Sequence, residues 1–157
     1  MNKENNLARI YSTKTYDHNA GLSCAFRQWK ADSHCNFIHG YALRFRFVFA
    51  SLKLDETNWV FDFGSMKPVK AWLAENFDHT TCVAADDPEL ETFKMLHDKK
   101  IIDLRVMERG VGCERTAEYV GQYVDSWVRK LTNQRVWLRS VEVSEHEGNS
   151  AIWENDK

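Results

Sequence analysis

Cys35 and His39, in Cys35-Asn36-Phe37-Ile38-His39, are a thiol and an imidazole at the mouth of a strand-like run. They can serve as nucleophile or general base, since the thiolate is the reactive form and needs a nearby charge or base to be populated at neutral pH. By spacing alone the pair reads more readily as a buried cysteine and a strand-end histidine. Asp78-His79 sets a carboxylate beside an imidazole, an arrangement that can orient the ring and stabilise its protonated form. Adjacent side chains often diverge, so Asp78 can equally serve another partner. Glu145 ends the run Val141-Glu142-Val143-Ser144-Glu145 with the parity of the two valines, the side expected to be buried. A buried carboxylate requires a partner. The guanidine-like N–H and NH2 edge of a heterocycle matches it bidentately, and so does an arginine such as Arg139 or Arg44. Thr116-Ala117-Glu118, at the start of a helical pattern, reads as a cap with a first-turn acid or as a hydroxyl and free N–H groups facing a ligand.

The elements that must position these groups follow from periodicity. Tyr41, Leu43, Phe45, Phe47 and Phe49 alternate with Arg44 and Arg46, which predicts a strand over Tyr41–Ala50 with one face partly solvated. Ala8 to Phe26 reads as one or two strands broken at Asp17-His18-Asn19. Met66, Val69, Leu73 and Phe77 recur at helical spacing behind Pro68, which is tolerated in a first turn. A stronger helix is expected from Thr116, with Val120, Tyr123, Val124, Trp127, Val128 and Leu131 on one stripe and an exit near Asn133. Val136–Glu145 and Ala151–Trp153 close the chain as strands, and Ile101–Met107 is a candidate short strand. Paired strands around two helices predict the α+β class, with an antiparallel sheet covered on one face. A doubly wound parallel sheet would need strict alternation and a Gly-rich first turn, and neither is present.

The chain has 157 residues, with 43% hydrophobic, 28% charged and 13% aromatic positions, which suits one globular domain over residues 1–157 with a core of its own. The net charge of −2, without a basic run, argues against nucleic acid as an obligate partner. No apolar stretch is long enough to span a bilayer. Met1 to Asn6 is polar, without the apolar run of a leader, so a cytoplasmic setting is expected. The four cysteines, at 24, 35, 82 and 113, form no CxxC pair or zinc-ribbon spacing. Cys24, Cys82 and Cys113 read as packing residues, and Cys35 stands apart through its neighbour His39.

Taken in order, Cys35-x-x-x-His39-Gly40, Asp62-Phe63 with Lys67, Asp78-His79, Thr116-x-Glu118 and Glu145 resemble one layout, that of the 6-pyruvoyltetrahydropterin synthase and 6-carboxytetrahydropterin synthase family. The resemblance runs from about Leu22 to Trp153, and Trp59-Val60-Phe61-Asp62-Phe63 matches the segment leading into the family's first helix. It implies a T-fold, in which a four-stranded antiparallel sheet carries two helices on one face and subunits join edge to edge into a barrel. Homo-oligomers, usually hexamers, with sites between subunits are implied as well. By resemblance, Cys35 would be the catalytic base, Asp78 and His79 would complete the proton-transfer set, and Glu145 would anchor a pterin. Thr116 and Glu118 would line the same pocket. The substrate implied is 7,8-dihydroneopterin triphosphate, and the nearest activity is the 6-carboxytetrahydropterin synthase step of queuosine biosynthesis.

The family holds zinc through three histidines. Here Phe26 and Tyr41 fall on two of those positions, and His39 alone survives. Phenylalanine cannot ligate and tyrosine rarely does, so the usual three-ligand zinc site is not expected to assemble without recruiting His18, His34 or His146. The expectation is a pterin-processing lyase with a degenerate zinc site. The alternative is a metal-free paralogue that binds a pterin or a 7-deazaguanine without turning it over.

Overall fold

The computed structural model describes residues 8–155; the polar Met1–Asn6 stretch lies outside the described residues. Among the described residues, eight strands and three α-helices follow one another. They are β1 (Ile10–Tyr16), β2 (Ser23–Phe26), β3 (His39–Ala42), β4 (Arg44–Ser51), α1 (Lys67–Phe77), β5 (Thr80–Ala84), α2 (Leu90–Asp98), β6 (Leu104–Met107), α3 (Cys113–Leu131), β7 (Val136–His146) and β8 (Asn149–Glu154). The first sheet has the order β1-β4-β7-β8 and is antiparallel throughout. This is the expected α+β architecture.

The core lies between this sheet and helices α1 and α3. Leu43, Phe45, Phe47 and Phe49 are buried, as are Met66, Val69, Leu73 and Phe77 of the first helical stripe and Val120, Val124 and Val128 of the second. Each fully buried side chain of this size contributes roughly 1.5–3 kcal/mol, so the two stripes hold the helices on the sheet. Leu131, placed by periodicity on the α3 stripe, is exposed, because the helix ends there at Thr132.

The expected Tyr41–Ala50 strand is two strands. Between β3 and β4 the chain changes sheets at Leu43, whose N–H donates to the carbonyl of Leu22 at 2.9 Å. The alternation of Tyr41, Leu43, Phe45, Phe47 and Phe49 runs unbroken through the change of sheet, so hydrophobic period alone cannot mark it. The second sheet has the order β3-β2-β5-β6, with β2 and β3 antiparallel and β2–β5 and β5–β6 parallel. Strand β5 is buried at every position, which removes the period-two contrast by which strands are recognised. Helix α2 buries only Phe93, so its amphipathic signal is thin.

Helix α3 begins at Cys113, a turn earlier than expected, and Thr116 lies buried inside it. Its first turn is set by Gly112 at φ 101°, where the Thr116 N–H donates to the Gly112 carbonyl at 2.9 Å. Among the described residues, no helix is long and apolar enough to cross a membrane.

Candidate functional site

Four chemically capable side chains gather where the end of β7 meets the start of α3 and the turn before β3. Strand β7 loses regular register on β8 between Ser144 and His146. There Ser144 is buried, while Glu145 is only partly so. The Glu145 carboxylate lies against the Cys113 thiol: burial first, then the charges of Glu145 and Glu114, push Cys113 up to about 12. Tyr41 is pushed up by burial, with the charges of Glu145, Cys35 and Cys113 adding to it in that order. Cys35, Tyr41, Cys113 and Glu145 thus share one electrostatic neighbourhood. Cys113, which sequence patterning assigns to packing, belongs to it through tertiary structure alone. The one local signal is its place directly after Gly110-Val111-Gly112, at a helix N-terminus.

The arginines weighed as partners for Glu145 are engaged elsewhere. Arg139 pairs with Glu154 at 2.7 Å, and Arg44 lies near Asp17 and Glu142 at 3.5 and 3.9 Å. Among the described residues, no basic side chain forms an ion pair with Glu145. A polar hollow of about 430 Å³, lined by Cys113, Glu114, Glu145, Gly148, Asn149 and Ser150, opens beside it, within the range of small-molecule sites.

Cys35 sits in a tight turn, His34–Asn36, whose Ser33 hydroxyl accepts from the Cys35 N–H at 3.3 Å. The turn is anchored from outside. The Gln28 N–H donates to the Cys35 carbonyl at 2.9 Å. Arg27 donates to the Asn36 side-chain oxygen at 3.1 Å and holds Asp87 bidentately at 2.8 and 2.7 Å. Beyond the turn, Phe37 and Ile38 are 74% and 46% exposed, an apolar pair unsupported by the rest of the chain.

Phe26, His39 and Tyr41 form a triangle of rings. Centroids lie 5.3 Å apart for Phe26–His39, 5.5 Å for His39–Tyr41 and 6.1 Å for Phe26–Tyr41. The register explains it, since Phe26 pairs with His39 and Cys24 with Tyr41 across β2 and β3. The two strands run close at Gly40, where a Cβ would come within 2.7 Å of the Cys24 carbonyl oxygen. The triangle offers one imidazole, a phenol and a hydrocarbon ring, and His39 Nδ1 is already hydrogen-bonded to the Phe37 carbonyl at 2.7 Å. This donor set does not fit a three-ligand catalytic zinc. His18 Nδ1 is bound to the Ala42 carbonyl. The His146 ring is 6.0 Å from Tyr41, but its nitrogens face the Gly148 N–H and the Asn149 amide. His34 lies in the turn beside Cys35. Among the described residues, no group of three or more His, Cys, Asp and Glu is disposed to hold a metal.

The remaining expected site residues lie elsewhere in the chain. Asp78 ends α1, and His79 turns into β5 at φ 54°. Their side chains share a hydrogen bond of 2.5 Å, with His79 88% exposed. His79 borders a different hollow, of about 590 Å³, with Gly40, Thr81, His97 and Lys100. Glu118 is held by Arg109 and Arg115, each at 2.8 Å, over a third hollow of about 290 Å³. Within one chain, then, Cys35 and Glu145 share a neighbourhood, while Asp78-His79 and Glu118 face separate hollows.

Comparison with known proteins bears on this arrangement. Residues 15–156 match the family described as 6-pyruvoyl tetrahydropterin synthase. Curated relatives named 6-carboxy-5,6,7,8-tetrahydropterin synthase, from Rickettsia felis and Rickettsia conorii, are 40% and 39% identical over 82 residues. That stretch is 52% of this chain and 56% of each relative, so the match spans little more than half of either. Among solved structures, an uncharacterized protein of Wolinella succinogenes superposes with a TM-score of 0.79 at 19% identity, covering 95% of this chain and 99% of the other. The 6-pyruvoyl tetrahydropterin synthase of Plasmodium falciparum superposes with a TM-score of 0.67 at 14% identity, covering 94% and 98%. At such identities these structures establish the shared fold.

Proposed function

This chain belongs to the 6-pyruvoyl tetrahydropterin synthase family, and from that premise we propose that it is a pterin-processing lyase acting on 7,8-dihydroneopterin triphosphate or a related pterin. The observation that carries the reading is Glu145, a carboxylate without a basic partner among the described residues, beside a polar hollow and in one neighbourhood with Cys35, Tyr41 and Cys113. In this reading Glu145 accepts the ring N–H and exocyclic NH2 of the pterin, a charge-assisted bidentate pair. Cys35, as thiolate, removes a proton from the pterin side chain. Asp78 and His79 supply the second proton-transfer pair. Because they face another hollow of the same chain, that role calls for a second subunit packed over the exposed Phe37 and Ile38, and a homo-oligomer, a hexamer by family likeness, provides one.

Phe26 and Tyr41 stand, in this reading, where the family carries two zinc histidines. No step is assigned to a metal. The ring triangle favours a second reading, in which the same pocket stacks and holds a pterin or a 7-deazaguanine without turnover.

Pterin fluorescence titration and turnover of 7,8-dihydroneopterin triphosphate, each with and without added zinc or a chelator, test the proposal. Glu145→Gln is expected to weaken binding at least about tenfold, consistent with about 1.5–3 kcal/mol for a hydrogen bond to a charged group. Cys35→Ala is expected to bind normally and lose turnover. Binding without wild-type turnover selects the second reading, and absence of pterin binding overturns both.

A further inference from the structure

We infer that Gln28 is a positioning residue that sets the Cys35 turn and the Glu145–Cys113 corner in one frame. The inference rests on the reading of Cys35 and Glu145 as two sides of a single site. Gln28 follows β2 by two positions and, besides accepting from the Ala31 N–H within its own turn, donates in two different directions. Its backbone N–H donates to the Cys35 carbonyl at 2.9 Å. Its side-chain Nε2 donates to the Val111 carbonyl, also at 2.9 Å, across 83 positions of sequence. Val111 is buried, and two residues later Cys113 opens α3 with its thiol against Glu145.

The fit around the amide is close. A Cβ on Gly112 would lie 2.3 Å from Gln28 Nε2, so the foot of α3 leaves no room for a side chain beside this amide. Gly112 also holds φ 101°, a conformation that favours glycine. The Cys35 turn has a second tether through Arg27 and Asn36, but that tether leads to Asp87 in the loop before α2. Of the two, the Gln28 link is the one that runs to the Glu145 side. A shift of an ångström between a proton-transfer group and an anchored substrate is enough to cost orders of magnitude in rate. A single residue that reaches one side through its backbone N–H and the other through its side chain is therefore a natural point of control.

Two substitutions separate the roles of donor and shape. Gln28→Ala removes both, whereas Gln28→Glu keeps the shape and removes the donor. The readout that needs no substrate is site-resolved alkylation of Cys35 by iodoacetamide, followed by mass spectrometry and normalised to unfolded protein. Both variants are expected to change the Cys35 rate by at least about threefold, in keeping with the sensitivity of thiol reactivity to its surroundings. Arg129→Ala, which breaks the remote Arg129–Asp125 pair, serves as the control for general loosening and is expected to leave the Cys35 rate unchanged. Rates within twofold of wild type in both folded Gln28 variants, or a Gln28→Glu protein indistinguishable from wild type, would overturn the inference. If Cys35 reactivity responds while Glu145→Gln leaves pterin binding intact, the brace stands and the pterin reading is what fails.

Discussion

Breaking the Arg27–Asp87 pair should be among the costliest single changes outside the apolar core. Asp87 is buried, its side chain 1% exposed, and that of Arg27 is 18% exposed. Two parallel N–H···O bonds of 2.8 and 2.7 Å join them. Removing one partner of a buried pair leaves an uncompensated charge and typically costs about 3–5 kcal/mol. In Arg27→Ala the Asp87 carboxylate keeps one bond, from the Glu89 N–H at 2.8 Å, which places the expected loss near the lower end, about 3 kcal/mol. For a chain of this length that corresponds to a fall in Tm of roughly 6–12 °C.

The sign of the pH dependence is a further check. Arg27 holds the Asp87 carboxyl below its ordinary value of 3.8, the effect of the side-chain bond outweighing that of burial. A depressed carboxyl contributes stability that is fully present above the unfolded value and is lost as pH falls through the folded one. In Arg27→Ala the isolated carboxyl favours its proton, so the gap between wild type and variant should narrow as pH is lowered through 4 toward 3. Urea unfolding followed by tryptophan fluorescence at pH 7 and at successively lower pH measures both quantities. A loss below about 1 kcal/mol at pH 7, the size of an exposed pair, or a gap that does not narrow in acid, would refute the reasoning.

Gly121→Ala should destabilise the protein although alanine is the better helix former by about 0.8–1 kcal/mol, because a Cβ there would lie 2.3 Å from the Trp153 ring. A net loss of about 1–2 kcal/mol, abolished in the Gly121→Ala/Trp153→Ala double variant relative to Trp153→Ala alone, is expected in thermal unfolding. Cys113, raised from 9.0 to about 12, favours the fold as the protonated thiol. Its contribution is therefore whole below pH 9 and declines as pH climbs toward 12, by about 1 kcal/mol at pH 10. Comparing urea midpoints of wild type and Cys113→Ser at pH 8 and pH 10 tests this, and a difference that does not change between them would contradict the burial argument.

Much of the architecture was legible because β4, α1 and α3 present their buried faces at clean periods of two and 3.6 residues. Phe45, Phe47 and Phe49 on one strand and Val120, Val124 and Val128 on one helix locate the core without further information. What escaped lacks that contrast. Strand β5 is buried on both faces, α2 inserts one phenylalanine, and the passage from β3 to β4 keeps its alternation while changing sheets. The site divides in the same way. Cys35, Glu145 and the Asp78-His79 pair stand out by residue type, whereas Cys113 comes beside Glu145 only because α3 starts a turn before Thr116 and the end of β7 departs from regular register. That Glu118 is committed to Arg109 and Arg115 depends on where a loop and a helix meet, which no local pattern encodes.

The two sheets differ in a respect that bears on how the protein breathes. Strands of the first sheet run to 7, 8, 11 and 6 residues, and those of the second to 4, 4, 5 and 4. The parallel join between β2 and β5 rests on two registered pairs, Cys24–Thr80 and Ala25–Thr81. Fewer ladder bonds mean a lower free energy of local opening, so amides of β2 and β3 should exchange with solvent well before those of β4 and β7. The Cys35 turn hangs between the two fast strands, whereas Glu145 is carried by a slow one. A molecule gripping both would fasten the loose sheet to the firm one, and its arrival would register as protection gained in β2 and β3 while the first sheet, already closed, hardly changes.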